Sequence, residues 1–343
     1  MEHKRILIIQ TAFIGDVILS TPLIKVLRET FPDAFISFLL IPETENVLEN
    51  NPLLDEVLVY DKRKKKGLGN FLQMVTRVKQ GKFDLAVIPH RSMRSAILSY
   101  LSGIPERVGF DKASGSFLFT RKVAYEANLH EVERNLSLLS DFAPRPKHTS
   151  PELFPSSEDL SHARKLLSDS GISEGERMVG IAPGSVWATK RWLPERFAEV
   201  ADLLLKQAGV KVVLLGSRED RALCERIADL MAGRPAIVAG RTSVLQSAAI
   251  VSLCRVLLSN DSAPVHMSSA MKIPVVAVFG STIPEFGFAP YGVDQVIVQK
   301  ELGCRPCGIP GKRKCPEKHL RCMQDIGTKE VFEAVLSLLK RRA

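Results

Sequence analysis

The stretch that decides the fold reads Ser259-Asn260-Asp261-Ser262-Ala263-Pro264-Val265-His266. It follows residues 255–258, an apolar run typical of a buried strand, and it precedes a second strand-like run at 274–279. In an open α/β sheet, ligands bind outside the carboxyl ends of the strands. Asp and Ser before a helix are also common N-caps. We expect this stretch to be both a helix cap and a ligand-binding site, because a capped helix presents its N-terminus to a ligand.

Short apolar runs alternate with helical patterns along the chain. The predicted strands are residues 6–9, 35–40, 56–59, 85–88, 178–181, 210–215, 256–258 and 275–279, and the predicted helices are residues 20–29, 71–79, 194–206, 218–231, 265–271 and 329–339. Most strand runs are continuously apolar, as in parallel strands that are covered on both faces. The alternation predicts doubly wound α/β domains.

A proline-rich stretch, residues 141–158, interrupts this alternation and predicts a linker. We therefore expect an N-terminal Rossmann-like domain over residues 1–150 and a second one over residues 151–325. The remaining C-terminal helix, residues 326–343, is expected to pack back on the N-terminal domain. Two Rossmann-like domains facing across a cleft are the GT-B architecture of many glycosyltransferases.

The composition argues against several classes of protein. The hydrophobic fraction of 45% supports a folded core. No apolar run approaches the roughly 20 residues that span a bilayer. The N-terminus lacks a small-residue cleavage pattern, so we expect a cytoplasmic protein. Neither half carries G-x-G-x-x-G after its first strand and there is no Walker A motif, which argues against nicotinamide, flavin and P-loop nucleotide binding.

The net charge of +9 is concentrated at the two ends of the chain. Residues 1–150 carry a net charge of +4, residues 151–299 carry −1 and residues 300–343 carry +6. The basic run at residues 62–66 predicts either a solvated loop or a surface for an anionic partner such as membrane phosphate. Only 6% of residues are aromatic, which argues against a single-stranded nucleic-acid platform.

The loop after the first predicted strand contains Gly15 and Asp16. A helix follows, and the helix dipole favours an ionised carboxylate there by roughly 0.3–1 kcal/mol at an exposed site. Gly15 permits a tight turn or the close approach of a ligand. Asp16 is therefore either a helix cap or a general base held on a rigid element.

A second loop, residues 182–192, follows the predicted strand at 178–181. Gly184 and Ser185 offer backbone N–H groups and a hydroxyl to an anion. Lys190 and Arg191 add a point charge and a planar fork, both suited to phosphate. A plain surface loop is the alternative. We prefer phosphate contact, because two cations lie beside a Gly-Ser turn.

The opening segment predicts a helix that begins near Pro264, a residue suited to the first helical position. Asp261 and Ser262 are expected to cap this helix, whose first N–H groups form an anion site. His266 lies four residues after Ser262, on roughly the same face. We expect it to contact the ligand.

Four cysteines follow late in the chain as Cys304-x2-Cys307-x7-Cys315-x6-Cys322, with His319 between the last two. A disulfide framework is disfavoured in a cytoplasmic protein. The spacing is compatible with a structural, tetrahedral zinc site. However, the last two cysteines do not repeat Cys-x2-Cys, so four free thiols in an ordered loop are the alternative.

Together these motifs resemble the ADP-heptose:lipopolysaccharide heptosyltransferases, glycosyltransferase family 9, over nearly the whole chain. The resemblance rests on Gly15-Asp16 with Thr21-Pro22, Pro183-Gly184-Ser185 with Lys190-Arg191-Trp192, Asn260-Asp261-Ser262 with His266, Phe279-Gly280-Ser281-Thr282, and the late cysteines ending in Cys322-Met323. Residues 103–110 and the group His130, Arg134-Asn135-Leu136 are most similar to the heptosyltransferase II branch.

The resemblance implies an inverting GT-B transferase that requires no cofactor. The N-terminal domain would bind an anionic lipid A–core acceptor at the inner membrane surface, and Asp16 would be the catalytic base. The C-terminal domain would bind ADP-heptose. The implied donor-site residues are Gly184, Ser185, Lys190, Asp261, Ser262, Ala263 and His266, with Thr242 near the adenine.

One residue departs from the family pattern. Ala263 stands where the family usually has glycine, so a methyl group is added where phosphate approaches the backbone. The alternatives are a GT-B transferase or epimerase that uses a different nucleotide sugar, and a non-catalytic lipid- or nucleotide-binding protein. The sequence leaves the oligomeric state open.

Overall fold

The computed structural model describes residues 3–62, 68–143 and 149–341. The chain divides into two compact units, Met1–Phe154 and Pro155–Ala343. Residues 63–66 of the basic run and part of the predicted linker lie outside the described residues.

The N-terminal unit is built on a six-stranded parallel sheet. Its strands are β1 (Arg5–Ile9), β2 (Phe35–Leu40), β3 (Glu56–Val59), β4 (Leu85–Ile88), β5 (Glu106–Phe110) and β6 (Arg121–Val123). Its helices are α1 (Ile14–Thr30), α2 (Leu68–Gln80), α3 (Met93–Leu101) and α4 (Glu131–Ser137), with 3-10 helices at Pro42–Val47 and Ser116–Leu118. The order β3-β2-β1-β4-β5-β6 reverses direction between β1 and β4, which makes that pair of strand ends the switch point where ligands bind.

The C-terminal unit repeats this topology. Its strands are β7 (Met178–Ala182), β8 (Lys211–Leu214), β9 (Ala236–Ile237), β10 (Val256–Asn260), β11 (Val275–Phe279) and β12 (Gln295–Gln299). Its helices are α5 (Ser157–Asp169), α6 (Pro194–Leu203), α7 (Arg221–Leu230), α8 (Val244–Leu253), α9 (Ala263–Ala270), α10 (Arg321–Gln324) and α11 (Thr328–Arg341), with 3-10 helices at Ala188–Lys190 and Pro284–Phe286 and a π-helical turn at Leu204–Ala208. The order is β12-β11-β10-β7-β8-β9, so β7 and β10 flank the switch point. The prediction of two doubly wound parallel α/β domains is confirmed.

Helix α1 begins earlier than the sequence pattern predicted. We expected a start near residue 20, but the helix begins at Ile14, and Pro22 lies inside it. Proline has no N–H to donate to the carbonyl four residues before it, here that of Ile18. The Thr21 hydroxyl donates to this carbonyl instead, at 2.8 Å. This bond accounts for the tolerance of Pro22 within the helix.

The C-terminal helix does not form the separate segment that we predicted. Its apolar residues Val331, Val335 and Leu338 are completely buried in the core of the C-terminal unit. They belong to the same hydrophobic cluster as Val276 and Val278 of β11. The spacing of these positions puts them on one face of the helix, and the sheet of its own unit covers that face. None of the described helices is long and apolar enough to cross a membrane.

Candidate active site

Asp16 is the third residue of α1, at the carboxyl end of β1. Its Oδ2 accepts a hydrogen bond from the N–H of Phe13, the residue that precedes the helix, at 3.2 Å. Burial raises the pKa of the Asp16 carboxyl above its ordinary value of 3.8, although the N–H groups of Phe13 and Asp16 and the charge of Arg91 oppose the shift. A carboxylate with a raised pKa is better matched to a general base than an ordinary aspartate. Asp16 therefore accepts a capping hydrogen bond, and its carboxyl binds a proton more readily than that of an ordinary aspartate.

His90 and Arg91 follow β4, the strand next to β1, and the sequence reasoning did not identify them. His90 Nδ1 lies 2.9 Å from Thr11 Oγ1 and 3.3 Å from Ser95 Oγ. Burial, with the charges of Lys62 and Arg91, lowers the pKa of His90 to about 4, so the imidazole is neutral at physiological pH. The sequence did contain a signal for them. His90 and Arg91 follow the predicted strand at residues 85–88, and ligands bind at the carboxyl ends of such strands.

Two cations flank the loop that carries Asp16. The Lys62 ammonium donates to the Thr11 carbonyl at 2.8 Å, so the first residue of the basic run contacts the candidate site. The Arg91 guanidinium lies 4.1 Å from the centroid of the Tyr125 ring, an ordinary cation–π distance. The Asp16 carboxyl, with the Lys62 and Arg91 cations beside it, suits a substrate that has both a reactive hydroxyl and negative charge.

The group His130, Arg134, Asn135 anchors α4 beside α1. Arg134 is 1% exposed and pairs with Glu131 at 2.8 Å. Asn135 Nδ2 donates to the Leu19 carbonyl of α1 at 3.2 Å. His130 Nδ1 accepts from the N–H of Val132 and so begins α4. These residues therefore support the element that carries Asp16.

In the C-terminal unit, Asn260 fixes both ends of the loop after β7. Its Nδ2 donates to the Pro183 carbonyl at 2.7 Å, and its Oδ1 accepts from the N–H of Trp192 at 3.1 Å. Gly184 lies between these two ends, where a Cβ would come within 2.4 Å of the Asp220 carboxyl carbon. Only glycine fits there without displacing Asp220.

The predicted phosphate cation, Lys190, pairs with Asp261. Lys190 Nζ lies 2.6 Å from Asp261 Oδ2, and the two side chains are only 12% and 5% exposed. The Thr282 hydroxyl donates to the same oxygen at 2.6 Å. Two donors, one of them charged, thus hold the Asp261 carboxylate at the end of β10.

The prediction that Asp261 and Ser262 cap α9 is correct only for the position of Ser262, which is the N-cap residue. Asp261 is held by Lys190 and Thr282, and the Ser262 hydroxyl donates to the Gly184 carbonyl at 3.2 Å. Ser262 occupies the N-cap position without a capping side-chain bond, and Pro264 is the second helical residue. Within the described residues, the N-cap side chain makes no capping hydrogen bond to α9, so the positive end of this helix can receive an anion.

The other predicted donor-site residues lie in the loop after β7 and in α9, with the exception of Thr242. Ser185 is buried, and its carbonyl accepts from Arg191 Nε at 2.6 Å. Ala263 is the first residue of α9 and is partly exposed, while the buried His266 ring lies 6.5 Å from that of Phe288. Thr242 differs, because it follows β9 at the edge of the sheet, three positions from β10, and contacts Ser247 Oγ at 2.7 Å.

The late cysteines are all free thiols in the structure. Cys304 Sγ lies 3.9 Å from His319 Nε2, and Cys307 Sγ lies 3.5 Å from the Cys304 carbonyl. Burial is the main cause that raises the pKa of Cys322 to about 11, with the nearby thiols contributing. Within the described residues, no three His, Cys, Asp or Glu side chains are arranged to hold one metal ion. The zinc site stays a prediction.

The chain is similar in sequence to known glycosyltransferases. The family model of glycosyltransferase family 9 (heptosyltransferase) matches residues 71–320. The lipooligosaccharide heptosyltransferase 2 of Campylobacter jejuni subsp. jejuni serotype O:2 is 25% identical over 342 residues, which cover 96% of each chain.

Solved structures share the fold. A family 9 glycosyltransferase from Veillonella parvula has a TM-score of 0.89 at 24% identity and covers 98% of each chain. The E. coli ADP-heptose LPS heptosyltransferase II has a TM-score of 0.81 at 24% identity, covering 98% of this chain and 99% of its own. The chain therefore belongs to glycosyltransferase family 9, the heptosyltransferases.

Proposed function

We propose that this protein transfers a heptose from ADP-L-glycero-D-manno-heptose to a lipid A–core acceptor, with inversion at the anomeric carbon. The observation that carries the proposal is the Lys190 ammonium, held 2.6 Å from Asp261 beside the N-terminus of α9. Such a site receives a diphosphate without requiring a metal ion. The name of the structurally similar E. coli enzyme specifies ADP-heptose as its donor.

The C-terminal unit would stabilise the leaving group. Negative charge develops on ADP as the bond to the sugar breaks. Lys190 and the uncapped end of α9 are already positioned, so they need no reorganisation to receive this charge. Asp261 would orient Lys190, whose remaining ammonium N–H groups would donate to the phosphates.

The N-terminal unit would activate the acceptor. Asp16 would take the proton of the attacking hydroxyl as the new bond forms, a role favoured by its raised pKa. Lys62 and Arg91 would contact phosphate groups of the acceptor. The net charges of +4 over residues 1–150 and +6 over residues 300–343 support peripheral association with an anionic membrane at its cytoplasmic face.

Nucleotide-sugar preference tests this proposal. ADP-heptose, UDP-sugars and GDP-sugars are added separately to the purified protein, and the melting temperature is measured. We expect the largest increase with ADP-heptose, because binding to the folded state raises stability by mass action. A larger increase with UDP- or GDP-sugars would favour the alternative, a transferase or epimerase with a different donor.

A further inference from the structure

Residues 303–320, which carry three of the four late cysteines, lie against the short helix that ends at Lys190. We call this stretch the cysteine segment. The N–H of Lys312 donates to Thr189 Oγ1 at 2.8 Å, and the N–H of Thr189 donates to the Lys312 carbonyl at 3.2 Å. Thr189 is only 2% exposed. The residue before Lys190 is thus bound on both its backbone and its side chain.

The same segment contacts the Lys190 side chain. A Cβ on Gly311 would lie 3.0 Å from both Cγ and Cδ of Lys190 and 3.1 Å from Cβ of Trp187. Gly311 also has a φ of +86°, which strains any other residue. The aliphatic part of Lys190 therefore packs directly on the backbone of the cysteine segment.

The segment also reaches the partner of Lys190. The N–H of Cys307 donates to the Ser281 carbonyl at 2.8 Å, and Arg305 Nη2 donates to the Thr282 carbonyl at 2.6 Å. Thr282 in turn donates to Asp261. Ser281 Oγ lies 2.8 Å from Thr189 Oγ1, which connects the two sets of contacts.

We infer that the cysteine segment is a positioning element of the donor site. It acts through Thr189 and Gly311 to hold the Lys190 ammonium against Asp261, so the affinity for the donor diphosphate depends on it. The segment carries five basic residues and one acidic residue, which also favours an anionic ligand nearby. The inference rests on the proposed donor site, and Thr189 is assigned a positioning role only.

The test compares ADP affinity among variants of the full chain by titration calorimetry. Thr189→Val keeps the shape of the side chain but removes its hydroxyl, and we expect ADP to bind about tenfold more weakly. Thr189→Ser retains the hydroxyl and should restore most of the affinity. Gly311→Ala perturbs Lys190 from the other side and should also weaken binding. Thr328→Val is the matched control. It also removes a hydroxyl that donates a hydrogen bond, but this hydroxyl lies at the start of α11 and donates to Glu199.

A double-variant cycle shows whether Thr189 acts through Lys190. We expect Lys190→Ala to weaken ADP binding, and addition of Thr189→Val to produce little further loss. Additive losses, or equal ADP affinity of the wild type, Thr189→Val and Gly311→Ala, would overturn the inference while leaving the proposed function intact. A wild-type protein that binds no nucleoside diphosphate would overturn both.

Discussion

Asp16 combines two properties that oppose each other energetically. Its N–H contact stabilises the ionised form and its burial destabilises it, and burial is the larger effect. A folded-state pKa above the ordinary 3.8 means that ionisation at neutral pH opposes folding. The base would therefore be maintained at a cost to the stability of the N-terminal unit.

Replacement of this carboxyl separates activity from stability. We expect Asp16→Asn to lower the transfer rate by roughly 10²–10⁴-fold, the usual contribution of a general base. Its melting temperature at pH 7 should equal or exceed that of the wild type, because asparagine carries no charge to bury. Any such advantage should vanish below about pH 3.8, where Asp16 is protonated in both the folded and the unfolded state. A clearly lower melting temperature at pH 7 would contradict this account.

The Asp220 side chain is what restricts residue 184 to glycine. Gly184→Ala would place a methyl group 2.4 Å from the Asp220 carboxyl carbon. We expect a loss of about 1–3 kcal/mol in the free energy of unfolding, measured by urea denaturation, together with weaker ADP binding. Gly69→Ala is the control, since a Cβ there meets nothing within 4 Å. Asp220→Ala should recover part of the loss in the double variant, and no recovery would contradict the proposed steric cause.

Among single elements, the strand end of β4 is followed by a half-buried, neutral histidine. His90 has a folded-state pKa of about 4, below the ordinary 6.5, so the unfolded state binds more protons between these two values. The free energy of unfolding is therefore unaffected by His90 above pH 6.5 and decreases as the pH falls from 6.5 toward 4. His90→Gln should therefore lose less stability than the wild type between pH 7 and 4.5. Urea denaturation at both pH values measures this, with the exposed His162→Gln as control. If the free energy of unfolding decreased equally in the wild type and in His90→Gln, the assignment of this pH dependence to His90 would be wrong.

The four late cysteines, Cys304, Cys307, Cys315 and Cys322, provide a metal prediction. If the four cysteines hold zinc, elemental analysis of protein purified under reducing conditions should find about one zinc ion per chain. Chelation should then lower the melting temperature. Absence of stoichiometric zinc, with the thiols reactive toward a thiol reagent after unfolding, would establish the alternative of four free thiols.

The elements differ in how far the sequence predicts them. Continuous apolar runs identify β1, β4, β7 and β10, because the central residues of a strand that is covered on both faces are apolar. By contrast, β9 has only two residues and β6 begins with two basic ones, so neither shows a strand pattern. The start of α1 was missed because Pro22 normally marks a first turn, and the compensating Thr21 bond is visible only in the structure.

The candidate site shows the same limit. Local sequence predicts that Asp261 and Ser262 cap α9, since both are good N-cap residues. Lys190 and Gly184, which belong to a different loop, engage them instead. The N-cap preference of a residue does not reveal partners that are distant in the sequence. The order of motifs was nevertheless sufficient to predict the family.

At the scale of the whole molecule, the two units are expected to contribute separable functions. Lys190→Ala should weaken ADP binding, whereas Asp16→Asn should bind ADP with wild-type affinity and fail in transfer. Titration calorimetry on both variants measures this. A loss of ADP affinity in Asp16→Asn would contradict the assignment of donor binding to the C-terminal unit.

Heptosyl transfer with Asp16 as the base is the central claim, and a direct transfer assay tests it. Purified wild type and Asp16→Asn are incubated with ADP-heptose and a lipid A–core acceptor, and the product and its anomeric configuration are measured. We predict heptosylated acceptor of inverted configuration with the wild type and a rate at least about 100-fold lower with Asp16→Asn. Transfer at an unchanged rate by Asp16→Asn, or no transfer from ADP-heptose by the wild type, would contradict the account.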